Sequence, residues 1–368
     1  MSIKILFLLF SACLGPELSE GSRILISVPY GTKSNLNMYV PLAVELVRRG
    51  HNITVINNFH SSELNEVGNV RQIVLDSLAI HGSSFTDAFE SHLSPILMIK
   101  SLVMSLKTMF DLPIEITETI FDDKRVQELL TNDHFDLVIF SMTLNRASYA
   151  LAWHFKAPMI MLTPNSIFPG ALASLGDEEE PSYVPFFMTN FSNKMNLFQR
   201  TINTLATNLF VFFIHQWYQP TIRSMVQQRG VSDCPPLVEL EKNISIVFTN
   251  THPAINYPRA MPPQIVEIGG IHCRQPNLLP EDLEAFVSSS PDGFIVFGVG
   301  STLPMEIMPD FLIISFIKTF AKLSQRVVWQ WKGKIRDDFP DNVLPIPWLP
   351  QQDLLGNNIF THSFHKIL

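Results

Sequence analysis

The chain opens on a short, unbroken, β-rich apolar run, "RILISVPY" from Arg23 to Tyr30, the pattern of a strand buried on both faces of a parallel sheet. After a polar loop, Met38, Leu42, Leu46 and Val47 return on one stripe at helical spacing, and the stripe stops at Gly50 with Arg48 and Arg49 in its last turn. "NITVI", Asn52 to Ile56, is a second strand, so the opening reads β-α-β. The pattern recurs with "FDLVIF" (Phe135 to Phe140), a helix over Arg146 to Phe155, and "APMIML" (Ala157 to Leu162). Longer helical stretches over Phe85 to Phe110 and Asn196 to Arg229, rich in Met, Phe and Leu, read as core helices, with the roof of an apolar pocket as the alternative. "ISIVFTN" (Ile244 to Asn250) is a further strand, followed by Pro253, Pro258, Pro262, Pro263, Pro276 and Pro280, a density that suits a linker. A second α/β series then begins with "GFIVFGVGS" (Gly293 to Ser301), a helix over Glu306 to Leu323, "RVVWQW" (Arg326 to Trp331) and "NVLPIPWLPQQDLLG" (Asn342 to Gly356).

Placing the boundary in the linker gives a first domain over residues 22–275 and a second over 276–368. The second is expected to hold only two or three strands, where a Rossmann-like sheet needs about five or six. Apolar residues are 46% of the chain and charged residues 16%, enough to bury large cores and to exclude disorder. The net charge of −8, with no basic run, argues against nucleic acid and leaves small molecules or proteins as partners.

Residues 1–21 read as a secretory signal peptide: Lys4 precedes the apolar run Ile5 to Leu14. Three sequons, at Asn52, Asn190 and Asn243, agree with that route, Asn52 least because a strand begins there. No later run reaches the roughly 18 apolar residues of a membrane span. Cys234 and Cys273 remain after the signal, either paired or as two free thiols.

Chemistry gathers in two places. "GVGST" joins a strand to a helix, and glycine-freed amides there, with the Ser301 hydroxyl, suit an anion, although a tight turn explains the pattern equally well. In "PWLPQQDLLG", Trp348 between two prolines offers a flat face for a base, and Gln351 a donor and an acceptor for its edge.

Taken with "RGHNITVI", "FDLVIF…LAWHFKAPMI", "GFIVFGVGS" and "RVVWQWKG", this string resembles the signature of the UDP-glycosyltransferases, animal and particularly invertebrate members. The resemblance implies an α/β fold of GT-B type, two Rossmann-like domains facing across a cleft, with the acceptor on the first and a UDP-sugar on the second. It implies hexosyl transfer from a UDP-sugar to a small lipophilic acceptor, with no further cofactor and no metal. Gly300, Ser301, Gln330, Trp348 and Gln351 match its UDP-side positions. The family's basic His and its orienting Asp fall at Asn35 and Arg146, and neither residue does that chemistry: an amide has no basic site near neutral pH, and a guanidinium stays protonated. His51 and His154 match structural positions. The chain is expected to leave the family pattern near Gly356, since "THSF" stands where "THGG" belongs, so that the diphosphate contact and the membrane anchor are missing, UDP binding is weak or absent, and His362 is a poor ligand. The expected function is therefore family transfer, impaired or lost. The alternative is an inactive relative that binds lipophilic ligands or pairs with full-length relatives, in the endoplasmic reticulum lumen or secreted.

Overall fold

The computed structural model describes residues 21–78, 111–142, 144–167, 169–170, 175–176, 180–257, 259–300, 305–357 and 360–365. The signal segment, the helical stretch expected over residues 85–110, and Ser301 lie outside the described residues.

Seven parallel strands form the first sheet: β1 (Arg23–Val28), β2 (Asn52–Asn57), β3 (Val70–Val74), β4 (Leu137–Ser141), β5 (Met159–Thr163), β6 (Ile244–Thr249) and β7 (Ile265–Glu267), in the order β3-β2-β1-β4-β5-β6-β7. The sheet is buried on both faces, as the unbroken apolar runs require. Alternation along β1 sends Leu25 to a core with Val138, Tyr149 and Ile222, and Ile24, Ile26 and Val28 to a second core under helix α1 (Lys33–Arg48). Sequence patterning omits β3 and β7, which are short and carry polar residues.

The stretch expected to be one helix over 196–229 is continuous but not uniform. It runs as α-helix over Leu197–Phe213, as a π turn over Ile214–Tyr218, and again as α-helix over Gln219–Gln227.

The second sheet corrects the expected strand count. β8 (Phe294–Gly298), β9 (Arg326–Gln330), β10 (Val343–Ile346) and β11 (Phe360–His365) form four parallel strands in the order β10-β9-β8-β11. β11 is missed because polar residues interrupt its six positions; its backbone nonetheless pairs along β8. The helix expected over Glu306 to Leu323 is shorter, Asp310–Phe320, because Pro309 lacks the N–H an interior position needs and serves as the cap. In both sheets the strand order reverses beside the first strand, and in doubly wound sheets ligands bind at that reversal, outside the carboxyl ends.

Trp329 centres the second domain's core, with the rings of Phe297, Phe320 and Phe339 at 5.2, 5.3 and 5.3 Å. Its indole Nε1 is buried without an acceptor. The two cysteines are free thiols, Cys234 buried and Cys273 exposed, which settles the alternative left open by the sequence.

Trp329→Ala is expected to cost about 3–5 kcal/mol of stability, the usual range for a large aromatic lost from a core. Trp329→Phe should cost much less, because no hydrogen bond is lost with the indole; urea unfolding followed by circular dichroism reads both.

Candidate functional site

The loop leaving β1 is held from below. Asn58 Nδ2 donates to the carbonyl of Gly31 at 2.6 Å and to that of Leu78 at 3.2 Å. Thr32 then caps α1. Asn35, three residues on, accepts at Oδ1 from the Thr32 hydroxyl at 2.6 Å and from the Thr32 backbone N–H at 3.4 Å. Two donors aimed at one oxygen commit it to the turn and leave Asn35 only amide N–H groups to offer. It can donate a hydrogen bond but cannot take a proton.

The turn after β4 is sewn to β1 by neutral groups. Asn145 Nδ2 donates to the Ser27 carbonyl at 3.1 Å, and the Ser148 hydroxyl lies 2.8 Å from Ser27 Oγ and 2.9 Å from Asn145 Oδ1. Arg146, only 6% exposed, does not join this network. Its Nη1 reaches Glu241 Oε1 at 3.1 Å, the same oxygen that accepts from the Tyr149 hydroxyl at 2.9 Å, and its guanidinium lies 5.8 Å from the Tyr218 ring centroid. Burial opposes the Arg146 charge, but Glu241, Tyr149 and Tyr218 outweigh it and hold the guanidinium above its ordinary pKa. Burial, then Glu241, pushes the Tyr149 phenol well up, and burial takes Tyr218 to about 12. Asn35 and Arg146 thus hydrogen-bond to different partners, in two separate networks.

His51 and His154 both hydrogen-bond to backbone. His51 Nδ1 accepts from the Ser22 N–H at 3.1 Å, at the amino edge of the sheet, and His154 Nε2 donates to the Leu130 carbonyl at 2.7 Å. One neighbour of the β1 loop was not legible in sequence: Glu115, on the helical stretch at 111–122, adds to burial in pushing the Tyr30 phenol up to about 12. Its distance along the chain hides it.

On the second domain, β8, β9 and the Pro347 to Pro350 loop converge at Gly298. A Cβ there would meet Leu349 Cδ1 at 2.7 Å and Gln330 Oε1 at 3.2 Å, so any larger residue would have to displace the ends of these side chains. Gln330 therefore sits against the end of β8, and Leu349 is buried while its neighbour Trp348 is 42% exposed. Gly300 adopts φ +93 and has open space where a side chain would stand. Gln351, exposed, opens the short helix Gln351–Leu355. Lys33, the first residue of α1, places Nζ 5.0 Å from the Trp348 ring centroid, so a cation from the first domain covers the aromatic face on the second. Of the expected residues, Gln330 and Trp348 gather around the loop at Gly298.

Residues 23–364 match the family described as UDP-glucoronosyl and UDP-glucosyl transferase. The chain belongs to that family. It is 32% identical to UDP-glucosyltransferase 2 of Dactylopius coccus over 97% of this chain and 68% of that protein. It is 29% identical to UDP-glucuronosyltransferase 1A7 of Mus musculus over 70% of this chain and 48% of that protein. The chain thus spans between about half and two thirds of these relatives' lengths. Solved structures agree on the fold: a spinosyn forosaminyltransferase has a TM-score of 0.57 at 12% identity, over 94% of this chain and 74% of that one. Arabidopsis thaliana UGT89C1, solved with UDP-L-rhamnose, scores 0.50 at 12% identity, over 94% of this chain and 75% of that one. The fold is GT-B. The family match passes Gly356, where the motifs alone end the resemblance, and extends into β11.

Asn35→Ala is expected to lower stability by about 1 kcal/mol, the usual cost of a lost helix cap. Arg146→Met strands Glu241 inside the domain and should cost about 3–5 kcal/mol, part of it recovered by Glu241→Leu in the same chain; urea midpoints measure all three.

Proposed function

We propose that this chain holds a UDP-sugar through Gly300, Ser301, Gln330, Trp348 and Gln351 and faces it with a small lipophilic acceptor on the first domain, in hexosyl transfer that is impaired for hydroxyl acceptors. The observation that carries this reading is the commitment of Asn35 Oδ1 to Thr32. A hydroxyl nucleophile must lose a proton as it attacks, and general-base assistance is worth about 100- to 10,000-fold. Asn35 supplies none, and Arg146 is spent on Glu241. A neutral amine brings its own lone pair and needs no base to become nucleophilic.

The expectation of weak or absent UDP binding rests on a resemblance ending at Gly356. The family match runs to residue 364 and β11 lies beside β8, which supports donor binding, while Ser363 and Phe364 still stand where the resemblance puts two glycines, so the proposed binding is weak. Trp348 then exchanges the Lys33 ammonium for the base. A second reading draws on the same Asn35 geometry: a relative without transfer that binds lipophilic ligands or pairs with full-length relatives. For either reading the lumen or the secreted space is the proposed location, with Asn190 and Asn243, both exposed, as better glycan acceptors than Asn52, which opens β2.

In calorimetric titration UDP should bind the native chain, and Trp348→Ala should weaken it about tenfold, the low end for a stacked base. Given UDP-glucose, an aniline should be glucosylated and the phenol of the same skeleton at least about 100-fold more slowly. Equal rates would defeat the claim about Asn35. UDP bound without product from either acceptor would favour the second reading.

A further inference from the structure

The helix Leu197–Phe213 is amphipathic the wrong way round. Its buried side chains are Asn203 (0% exposed) and Thr207 (3%), while Leu209 (66%) and Phe212 (65%) stand in solvent. Asn203 faces inward for a reason: its Nδ2 donates to the carbonyls of Pro181 and Val184 at 2.8 and 2.9 Å, and its Oδ1 accepts from the Phe186 N–H at 2.7 Å. Outside, Phe198, Ile202, Leu205, Leu209 and Phe212 recur at steps of four and three, one continuous face, all of it exposed. Phe187, half exposed, widens the patch through its contact with Phe210, ring centroids 5.4 Å apart, and Trp217 closes its far end, stacked on Phe213 at 5.0 Å. An apolar area of this kind on a polar-cored helix calls for a partner.

Charge decides which. From Pro181 to Ser232 there is no Asp or Glu, in a chain whose net charge is −8. The same stretch carries Lys194, Arg200, Arg223 and Arg229. Arg229 is held by Glu118 and Asp122, Arg223 donates to the carbonyl of Cys234, and Arg200 Nε donates to the carbonyl of Met195 at 3.0 Å; Lys194 and Arg200 are exposed beside the first turn of the helix and form no ion pair among the described residues. A second copy of this chain would bring the same cations together across the interface. A bilayer with anionic headgroups accepts both features at once, the aromatic and leucine face below the headgroups and the cations among them. The outward apolar face with cations beside its first turn suits a helix lying in the interface.

We propose that Leu197 to Trp217 is a membrane-docking face that seats the first domain on an anionic lipid surface. The test is sedimentation of the full chain with vesicles of phosphatidylcholine, alone or with phosphatidylserine. The native chain should sediment with the mixed vesicles, and Leu205→Glu combined with Phe212→Glu should lower its partitioning at least about tenfold. Lys194→Glu with Arg200→Glu should abolish the preference for phosphatidylserine. Urea midpoints of both variants should match the native chain, because these side chains are exposed. A native chain that ignores both vesicles, or variants that bind as the native chain does, would overturn the proposal. So would light scattering that shows a lipid-free dimer which Leu205→Glu and Phe212→Glu dissociate, since the face would then belong to a second copy.

Discussion

A clamp ties the coil between the two domains to the second domain. Arg274, in the coil between β7 and the helix Glu281–Ser288, grips Asp353 with both terminal nitrogens, at 2.6 and 3.1 Å, while the Asn277 N–H donates to the same carboxylate at 2.7 Å. The Arg274 N–H also donates to Gln352 Oε1 at 2.9 Å. The coil thereby carries the short helix that follows Trp348, and it is itself fixed at both ends, Ile271 packing on the first domain's core and Leu279 on the second's. The hydrogen bonds from Arg274 hold Asp353 below the usual carboxylate range, burial opposing them. A depressed carboxylate pKa means the clamp is intact at neutral and mildly acidic pH and loosens only as pH falls through that lowered value. Trp348, just before that helix, meets Lys33 of the first domain.

Parallel strands were legible wherever they were central. "RILISV", "LVIFS" and "FIVFG" are buried on both faces, so their apolar runs are unbroken and no other element of that length fits. β3, β7 and β11 lie at sheet edges, where one neighbour is missing and polar side chains are tolerated, and the apolar signal fails there. The same limit applies to the site. Trp348 and Gln330 could be singled out because their motifs are local, and Asn35 because the lack of a basic nitrogen belongs to the residue type whatever surrounds it. The fate of Arg146 was not, because Glu241 lies 95 positions away and reaches it only through the fold. Sequence spacing also gave no warning that the long helix would turn its leucines outward, because an amphipathic stripe records that two faces differ and not which of them the sheet takes.

The consequence is a first domain with two kinds of polar interior. Around Arg146, Glu241, Tyr149 and Tyr218, charge is buried and balanced, which fixes the turn after β4 at a cost in desolvation. Around Asn203, neutral amide bonds secure the loop at 181–186. Both arrangements spend polar groups on positioning backbone, the turn after β4 in one case and the segment at 181–186 in the other.

The π turn at Ile214–Tyr218 reconciles the two halves of the long helix. Inward positions run Asn203, Thr207, Ile214, Tyr218, Ile222 and Val226, a spacing near four that an α-helix of about 3.6 residues per turn would lose by precession. One wide turn absorbs the surplus residue. Such a turn lets two helical flanks keep their own inward faces when the residues between them exceed a whole number of α-turns. The outward face before it and the buried positions after it therefore each keep their own register.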